Sequence, residues 1–236
     1  MNALQPHLQV KELWKIYPYS DNKVEALKGI SFDVSKGEMI AIMGPSGCGK
    51  TTLLNCVSGL DTINQGNILI DGVAQNEMNS KSRDAYRAKH MGFIFQAYNL
   101  IPVLTAVENV ELPLLGMGMK PKLAREKALE ALARVGLRDR SSHSPSEMSG
   151  GQQQRVAIAR AIVNQPLIVW ADEPTGALDS KTTVMVMDLI AHLNRTEGIT
   201  FIIVTHNPDV ANYANRTIYM DSGHIIQNRV NRGRSL

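Results

Sequence analysis

The stretch Gly44-Pro45-Ser46-Gly47-Cys48-Gly49-Lys50-Thr51-Thr52 constrains this chain more than any other. It follows the apolar run Met39-Ile40-Ala41-Ile42-Met43 and opens into a helix-like segment from Gly49 onward, giving the order strand, glycine-rich turn, helix. A helix start exposes unpaired backbone N–H groups and a partial positive charge, and glycines let those groups approach an anion closely. The pattern therefore predicts a cradle for nucleotide phosphates formed by Gly44, Ser46, Gly47, Cys48 and Gly49. Lys50 is placed to reach the β- and γ-phosphates, Thr51 to offer its hydroxyl to a phosphate-bound Mg²⁺, and Thr52 to hydrogen-bond the α-phosphate.

The 236 residues suffice for one large or two modest domains and allow folding to bury roughly 70% of the unfolded chain's surface. With 44% hydrophobic and 20% charged residues the composition is globular, which excludes disordered and fibrous classes. The net charge of +3 is mild and the 25 Lys and Arg are scattered, so no nucleic-acid partner is expected. No apolar stretch approaches membrane-spanning length and no leader pattern opens the chain, so a cytoplasmic location is expected. Cys48 and Cys56 lack zinc-site spacing and are expected as reduced thiols. For Cys48 two readings stand: a small side chain tolerated in the loop, or a reactive thiol.

Along the chain, Leu8 to Tyr17 reads as a strand running into a loop at Pro18, followed by strands at Ile30 to Val34 and Glu38 to Met43. An aromatic at the edge of this early β region suits stacking on adenine, with Tyr17 the candidate and Trp14 and Tyr19 its rivals. Asn67 to Ile70 and Met91 to Gln96 are further strands, and Gln96 at a strand's end suits a ligand-facing side chain. Residues 97–164 read as a mostly helical insertion: an irregular apolar stretch, Leu100 to Leu115, then a helix from about Lys122 to Val135 stopped by Gly136. Its Met117-Gly118-Met119 is either filler or a partner surface. Met148-Ser149-Gly150-Gly151-Gln152 precedes a helix at Gln153 to Asn164. It is either a second anion site or an ordinary serine cap. Leu167 to Ala171 is a buried parallel strand ending in Asp172-Glu173, a pair suited to Mg²⁺ and a general base. Thr200 to Val204 is another such strand, with His206 just beyond it in reach of a γ-phosphate. The chain closes with a strand pair around Asp221-Ser222-Gly223 and a basic tail, Arg229, Arg232 and Arg234, read as solvated.

Taken together, Gly44 to Thr52, Gln96, Met148 to Gln152, Ile168 to Glu173, Ala177-Leu178-Asp179 and His206 resemble, in order, the Walker A, Q-loop, signature, Walker B, D-loop and H-loop of ABC transporter ATPases. The resemblance runs from Tyr17 through His206. It implies an α/β fold with a P-loop NTPase core built on a parallel sheet, an antiparallel β subdomain and an inserted α-helical signature subdomain. Residues 1–96 and 165–236 would form the core and β subdomain, and 97–164 the helical one. It further implies that Tyr17 stacks on adenine, that Gln96 contacts Mg²⁺ and water and senses a transporter subunit, and that Asp172 serves Mg²⁺ while Glu173 acts as base. Ser149, Gly150, Gly151 and Gln152 would touch ATP held by a second copy of the chain, Asp179 would cross the dimer interface, and His206 would steady the transition state. Met148 in place of the usual signature leucine and Trp170 in the Walker B strand depart from the pattern but stay apolar.

Asn99-Leu100-Ile101-Pro102, Thr105 to Val110 and Ala171 to Ser180 look like the subgroup of macrolide exporters and lipoprotein-releasing systems. That resemblance implies a homodimeric ATPase at the cytoplasmic face of the membrane, bound to a transmembrane permease and driving export or extraction of a lipoprotein, peptide or drug. The alternative is a cassette of a non-transporting mechanical regulator of the cell-division type. A DNA-repair or ribosome-associated ATPase would carry a coiled-coil insertion, zinc cysteines or a second fused cassette, none of which is visible. Contact with the membrane subunit is expected within Ala97 to Met119, with Glu108 and Glu111 as its charged probes.

Overall fold

The computed structural model describes residues 6–19 and 22–231. The chain opens with β1 (Leu8–Tyr19), β2 (Asn22–Val34) and β3 (Met39–Met43), then α1 (Lys50–Val57), β4 (Gln65–Ile70) and β5 (Val73–Ala74). Next come α2 (Ser80–His90), β6 (Met91–Phe95), α3 (Ala106–Gly116), α4 (Pro121–Arg134) and α5 (Gly150–Ile162). It finishes with β7 (Ile168–Asp172), α6 (Ser180–Glu197), β8 (Thr200–Val204), α7 (Pro208–Ala211), β9 (Arg216–Asp221) and β10 (His224–Val230).

The strands form two sheets. Order β10-β9-β3-β8-β7-β6 makes a six-stranded sheet whose strands from β9 to β6 are all parallel. Order β2-β1-β4-β5 makes a four-stranded antiparallel one. Because the parallel sheet is covered on both sides, its strands are apolar throughout, and alternate residues enter different cores. Met39, Ala41, Val169, Ala171, Phe201 and Ile203 pack with helices α3 to α6. Ile40, Ile42, Ile168, Trp170, Ile202 and Val204 pack with α1 and the antiparallel sheet. Trp170 is 1% exposed there, and its indole N–H finds no hydrogen-bond partner among the described residues. Among the described residues no helix is long and apolar enough to cross a membrane.

Several local expectations need correction. β1 continues through Pro18 to Tyr19, where the sequence pattern implied a loop. Pro18 pairs only with Lys23 of β2, since pairing with β4 reaches no further than Trp14, so its missing N–H faces an unpaired side. β2 begins at Asn22 rather than Ile30, because its first four residues are exposed and carry no apolar alternation. The stretch taken as irregular, Leu100 to Leu115, is so only up to Thr105; from Ala106 it is helix α3, started by a capping box in which Thr105 and Glu108 bond each other's backbone N–H. The signature helix α5 begins at Gly150, three residues before the expected start, because Ser149 caps it. α2 went unread since none of its side chains is buried. The side chain of Tyr19 and residues Arg232 and Arg234 lie outside the described residues, whereas Arg229 is exposed on β10.

Helix α5 lies so close to β6 that a Cβ on Gly92 would strike the Ala161 backbone carbonyl. Gly92→Ala is therefore expected to destabilise the fold by about 3 kcal/mol, lowering the melting temperature by roughly 5–10 °C in a thermal melt followed by circular dichroism.

Candidate active site

The carboxyl ends of the parallel strands converge on one edge of the sheet. Phe95 on β6 is in register with Asp172 on β7, and Asp172 with Val204 on β8, while Val204 pairs with Ile42 next to the glycine-rich loop. This edge is where open parallel sheets bind ligands, because loops there carry the side chains that the rigid strands aim.

The loop after β3 needs its glycines. Gly44 has φ 154° and Gly49 φ 104°. A Cβ on Gly44 would run into the Met220 carbonyl and one on Gly49 into that of Ala26. Gly47, at φ 77°, has open space where a Cβ would sit. Helix α1 then starts with no side-chain cap, leaving its first amides free for a ligand. Ser46, Gly47, Gly49, Lys50, Thr51 and Thr52 line a cavity of about 500 Å³ together with Asp172 and Glu173. The Lys50 ammonium is folded back onto the carbonyls of Gly44 and Pro45 at 2.9 and 2.8 Å. Cys48 is 5% exposed. Its sulfur lies beside Gly44 and 4.0 Å from the Lys50 ammonium, and its side chain is not among those lining the cavity.

The acid pair sits opposite the loop. The Thr51 hydroxyl is 3.3 and 3.4 Å from the two Asp172 oxygens. Burial pushes the Asp172 carboxyl up from its usual value, with the Glu173 charge adding to the shift, while Thr51 and Lys50 oppose it. Glu173 has φ 47°, a strained conformation for a residue with a side chain. It is held by its own N–H to the Val204 carbonyl at 2.9 Å. Its carboxylate is fixed by the two residues that follow β8: Oε1 accepts the His206 backbone N–H at 3.0 Å and lies 2.7 Å from His206 Nδ1, and Oε2 accepts the Thr205 hydroxyl at 3.2 Å. A carboxylate oxygen only accepts, so the Nδ1 contact puts the imidazole proton on that nitrogen.

Other residues singled out in the sequence lie off this cavity. Gln96 packs against Gly176, after the acid pair, rather than lining the cavity. Tyr17 donates its hydroxyl to Asp61 at 2.6 Å and is 36% exposed. Thr52 lies close enough to this hydroxyl to affect its proton affinity. Trp14 packs against Gly29 instead. Ser149 caps α5, accepting from Gln152 N–H, while its own N–H donates to Gln152 Oε1 at 2.9 Å. Asp179 caps α6, accepting from Thr182 N–H at 2.9 Å and its hydroxyl at 2.6 Å. These caps abut, since a Cβ on Gly151 would collide with the Thr182 methyl and one on Gly150 would lie 2.8 Å from the Tyr98 hydroxyl. The chain thus carries two exposed patches: the cavity, and the paired starts of α5 and α6.

Glu108 and Glu111, the charged probes of the expected membrane-subunit contact, both have partners within the chain. Glu108 closes the α3 cap on Thr105, and Glu111 is buried and ion-paired with Arg125 at 2.7 Å. Reversing either charge would therefore disturb the fold of α3 as well as any contact made there. Val103, 86% exposed, is the most exposed large apolar side chain of that region, ahead of Ile101 and Met117. Sequence reasoning also missed the far wall of the cavity, made by Val24, Glu25, Ala26 and Lys28 of β2 with Ser222 and Gly223 of the β9–β10 turn. Gly223 accepts from Lys28 N–H at 2.9 Å and donates to the Cys48 carbonyl at 3.1 Å. The turn was legible; its contact with the phosphate loop was not. Thr205 was equally overlooked, because its burial and its reach to Glu173 are set by the fold.

An uncapped helix start behind a glycine loop, facing an oriented acid pair, defines a phosphate-loop ATPase. Residues 27–176 match the family described as ABC transporter, and the chain belongs to that family as an ATP-binding, ATP-hydrolysing cassette. Such cassettes work in pairs with a transmembrane partner. The chain is 46% identical over 220 residues to the ABC transporter ATP-binding protein MJ1508 of Methanocaldococcus jannaschii, covering 93% of this chain and 98% of that one. It is also 46% identical over 211 residues to the lipoprotein-releasing system ATP-binding protein LolD of Alcanivorax borkumensis, covering 89% and 92%. The fold superposes with a TM-score of 0.87 on the cassette MJ0796, solved as a dimer in a post-hydrolysis state with ADP and Pi, at 42% identity over 96% of this chain and 100% of that one.

The raised Asp172 carboxyl has a measurable consequence. The folded chain binds this proton more tightly than the unfolded chain, so stability falls as pH rises from the ordinary carboxylate range through the folded-state value. Without nucleotide, Asp172→Asn is expected to melt roughly 2 °C above the parent at neutral pH. The gap should close as the pH is lowered to about 4, as read by scanning calorimetry.

Proposed function

We propose that this cassette sits at the cytoplasmic face of a membrane as one of two identical motors, and that ATP binding and hydrolysis drive a permease that extracts or exports a lipoprotein, peptide or drug. The similarity to a lipoprotein-releasing protein supports the substrate class. The observation that carries the mechanism is the placement of Glu173, whose carboxylate is oriented by Thr205 and His206 at the mouth of the phosphate cavity. In this reading Lys50 and the loop amides bind phosphate, Tyr17 stacks on the base, Glu173 polarises the attacking water, and His206 holds the charge that develops. Ser149, Gly150, Gly151 and Gln152 close on the nucleotide of the second copy, with Asp179 at the seam. The separation of the two patches on one chain supports a head-to-tail pair.

Mg²⁺ fits the donors present: Thr51 and Asp172 offer hard oxygens side by side, whereas the Gln96 side chain, packed against Gly176, would have to swing into the cavity to join them. Among the described residues no cluster of three acidic, histidine or cysteine side chains could hold a metal alone, as suits an ion that takes its remaining ligands from phosphate and water. It would supply charge neutralisation at the phosphates.

Residues 97–164 act in this reading as the helical arm, and their 97–119 segment as the contact with the permease. A groove of about 370 Å³ lined by Phe93, Phe95, Asn99, Pro113 and Arg160 lies beside that segment.

Glu173→Gln is expected to lower steady-state ATPase by ~10²–10⁴-fold and to accumulate an ATP-bound dimer with the permease present. An unaltered rate would overturn its role as base. Val103→Asp is expected to abolish co-purification with the membrane partner and stimulation by it, while the basal ATPase of the cassette is kept. Affinity capture from solubilised membranes identifies that partner, and recovery of a wall-hydrolase regulator would replace transport by mechanical signalling.

A further inference from the structure

A polar cluster next to the phosphate loop takes no part in the phosphate chemistry described above. Lys15 lies on β1 where the strand register shifts on both of its sides, and such irregularities re-aim a side chain. It is only 6% exposed. Its ammonium donates to Asp61 Oδ1 at 2.8 Å and to the Thr62 carbonyl at 2.6 Å. The same ammonium stands 4.7 Å from the centre of the Tyr17 ring, within the range of cation–π attraction. Tyr17 donates its hydroxyl to the other Asp61 oxygen at 2.6 Å. Asp61 Oδ1 also accepts the Thr62 N–H at 2.6 Å.

Each bond removes a freedom. With its hydroxyl committed to Asp61, Tyr17 has only its ring to offer a ligand. With Lys15 tied to Asp61 and Thr62, the ammonium cannot swing toward phosphate, and it occupies one ring face. Burial and the Asp61 carboxylate push the phenol up to about 12, so it stays a donor. Burial acts to raise the Asp61 carboxyl, but hydrogen bonds from Lys15, Tyr17 and Thr62 outweigh it and hold the group below the usual carboxylate range. The anchor is the phosphate-loop helix itself: the backbone N–H groups of Leu60 and Asp61 both bond to the Asn55 carbonyl of α1, at 2.9 and 3.0 Å.

We propose that Asp61 and Lys15 are positioning residues for nucleotide binding, holding the Tyr17 ring by its hydroxyl and covering one face so that the opposite face is presented to the purine base. The inference rests on the reading of Tyr17 as the stacking aromatic. A ring immobilised before the base arrives loses less entropy on binding, so the device acts on affinity rather than on the chemical step. It also ties the base to the phosphates, since ring and cradle hang on the two ends of one short helix.

The test compares Asp61→Asn, Tyr17→Phe, their double variant, Lys15→Met, Lys15→Arg and Tyr17→Ala by ATPase kinetics, and by titration with ATP and with inorganic triphosphate, which has no base. Asp61→Asn and Tyr17→Phe are each expected to raise KM for ATP roughly three- to tenfold with kcat within about twofold. Their double variant should be no worse than the weaker single, because both break one bond. Lys15→Arg should recover most of what Lys15→Met loses. Affinity for inorganic triphosphate should be the same in all variants, which a general loosening of the fold would not allow. If Tyr17→Ala leaves ATP affinity unchanged, the stacking reading fails and takes the proposal with it. If Tyr17→Ala weakens ATP while Asp61→Asn and Tyr17→Phe leave KM unchanged, or weaken triphosphate equally, the stacking reading survives and the brace is overturned.

Discussion

The site depends on one constraint: a helix start must be left without an internal cap and still be held rigid. α1 meets it by beginning at Gly49 in a left-handed conformation with no side chain turned back on its amides. What holds the loop in place comes from elsewhere in the chain. The Met220 carbonyl presses against Gly44, Gly223 bonds to the Cys48 carbonyl, and Ala26 crowds Gly49. Larger residues at Gly44 or Gly49 would meet backbone, which cannot move aside as a flexible side chain can. The glycines therefore serve close packing behind the loop as much as access in front of it.

That clamp explains why both sheets are needed. The parallel sheet delivers the loop, the acid pair and the Thr205-His206 step to one edge. The antiparallel sheet and the β9–β10 turn supply the opposite wall of the cavity. Glu173 shows the cost of this precision, sitting at a positive φ with its own N–H bonded to the Val204 carbonyl of the neighbouring strand. Asp172, half-buried next to another acid, shows it too.

The sequence was most legible where local chemistry is sufficient. The glycine loop, the buried parallel strands and the acids at the end of β7 announce themselves through residue type and spacing. It was least legible where an element is stabilised by a single contact or buries little apolar surface. α2 buries no side chain fully, and its half-buried face, Arg83, Tyr86, Arg87 and His90, is polar or aromatic rather than aliphatic, so the sequence shows no apolar period. The first half of β2 is exposed, although Val24 and Glu25 line the cavity. Glu108 and Glu111 look like a charged surface in sequence, yet one is a helix cap and the other a buried partner of Arg125. Charge alone does not tell a docking residue from a structural one, because both need a counter-group whose position is set by folding.

By itself the sequence determined the class of chemistry, since a glycine-lysine-threonine loop between a strand and a helix has one physical use and the order of the remaining motifs restricts the family. It also determined the parallel sheet, through runs such as Ile168 to Ala171 that are apolar on both faces. Only the tertiary structure decided what orients Glu173, what walls the cavity opposite the loop, and what holds Tyr17. These depend on contacts between residues 32, 44 and 175 positions apart, such as Glu173 with Thr205, Tyr17 with Asp61, and Cys48 with Gly223. The reason is one of range: propensity and periodicity act over a few neighbouring residues, whereas the direction of a side chain is set by whichever distant element the fold packs against it.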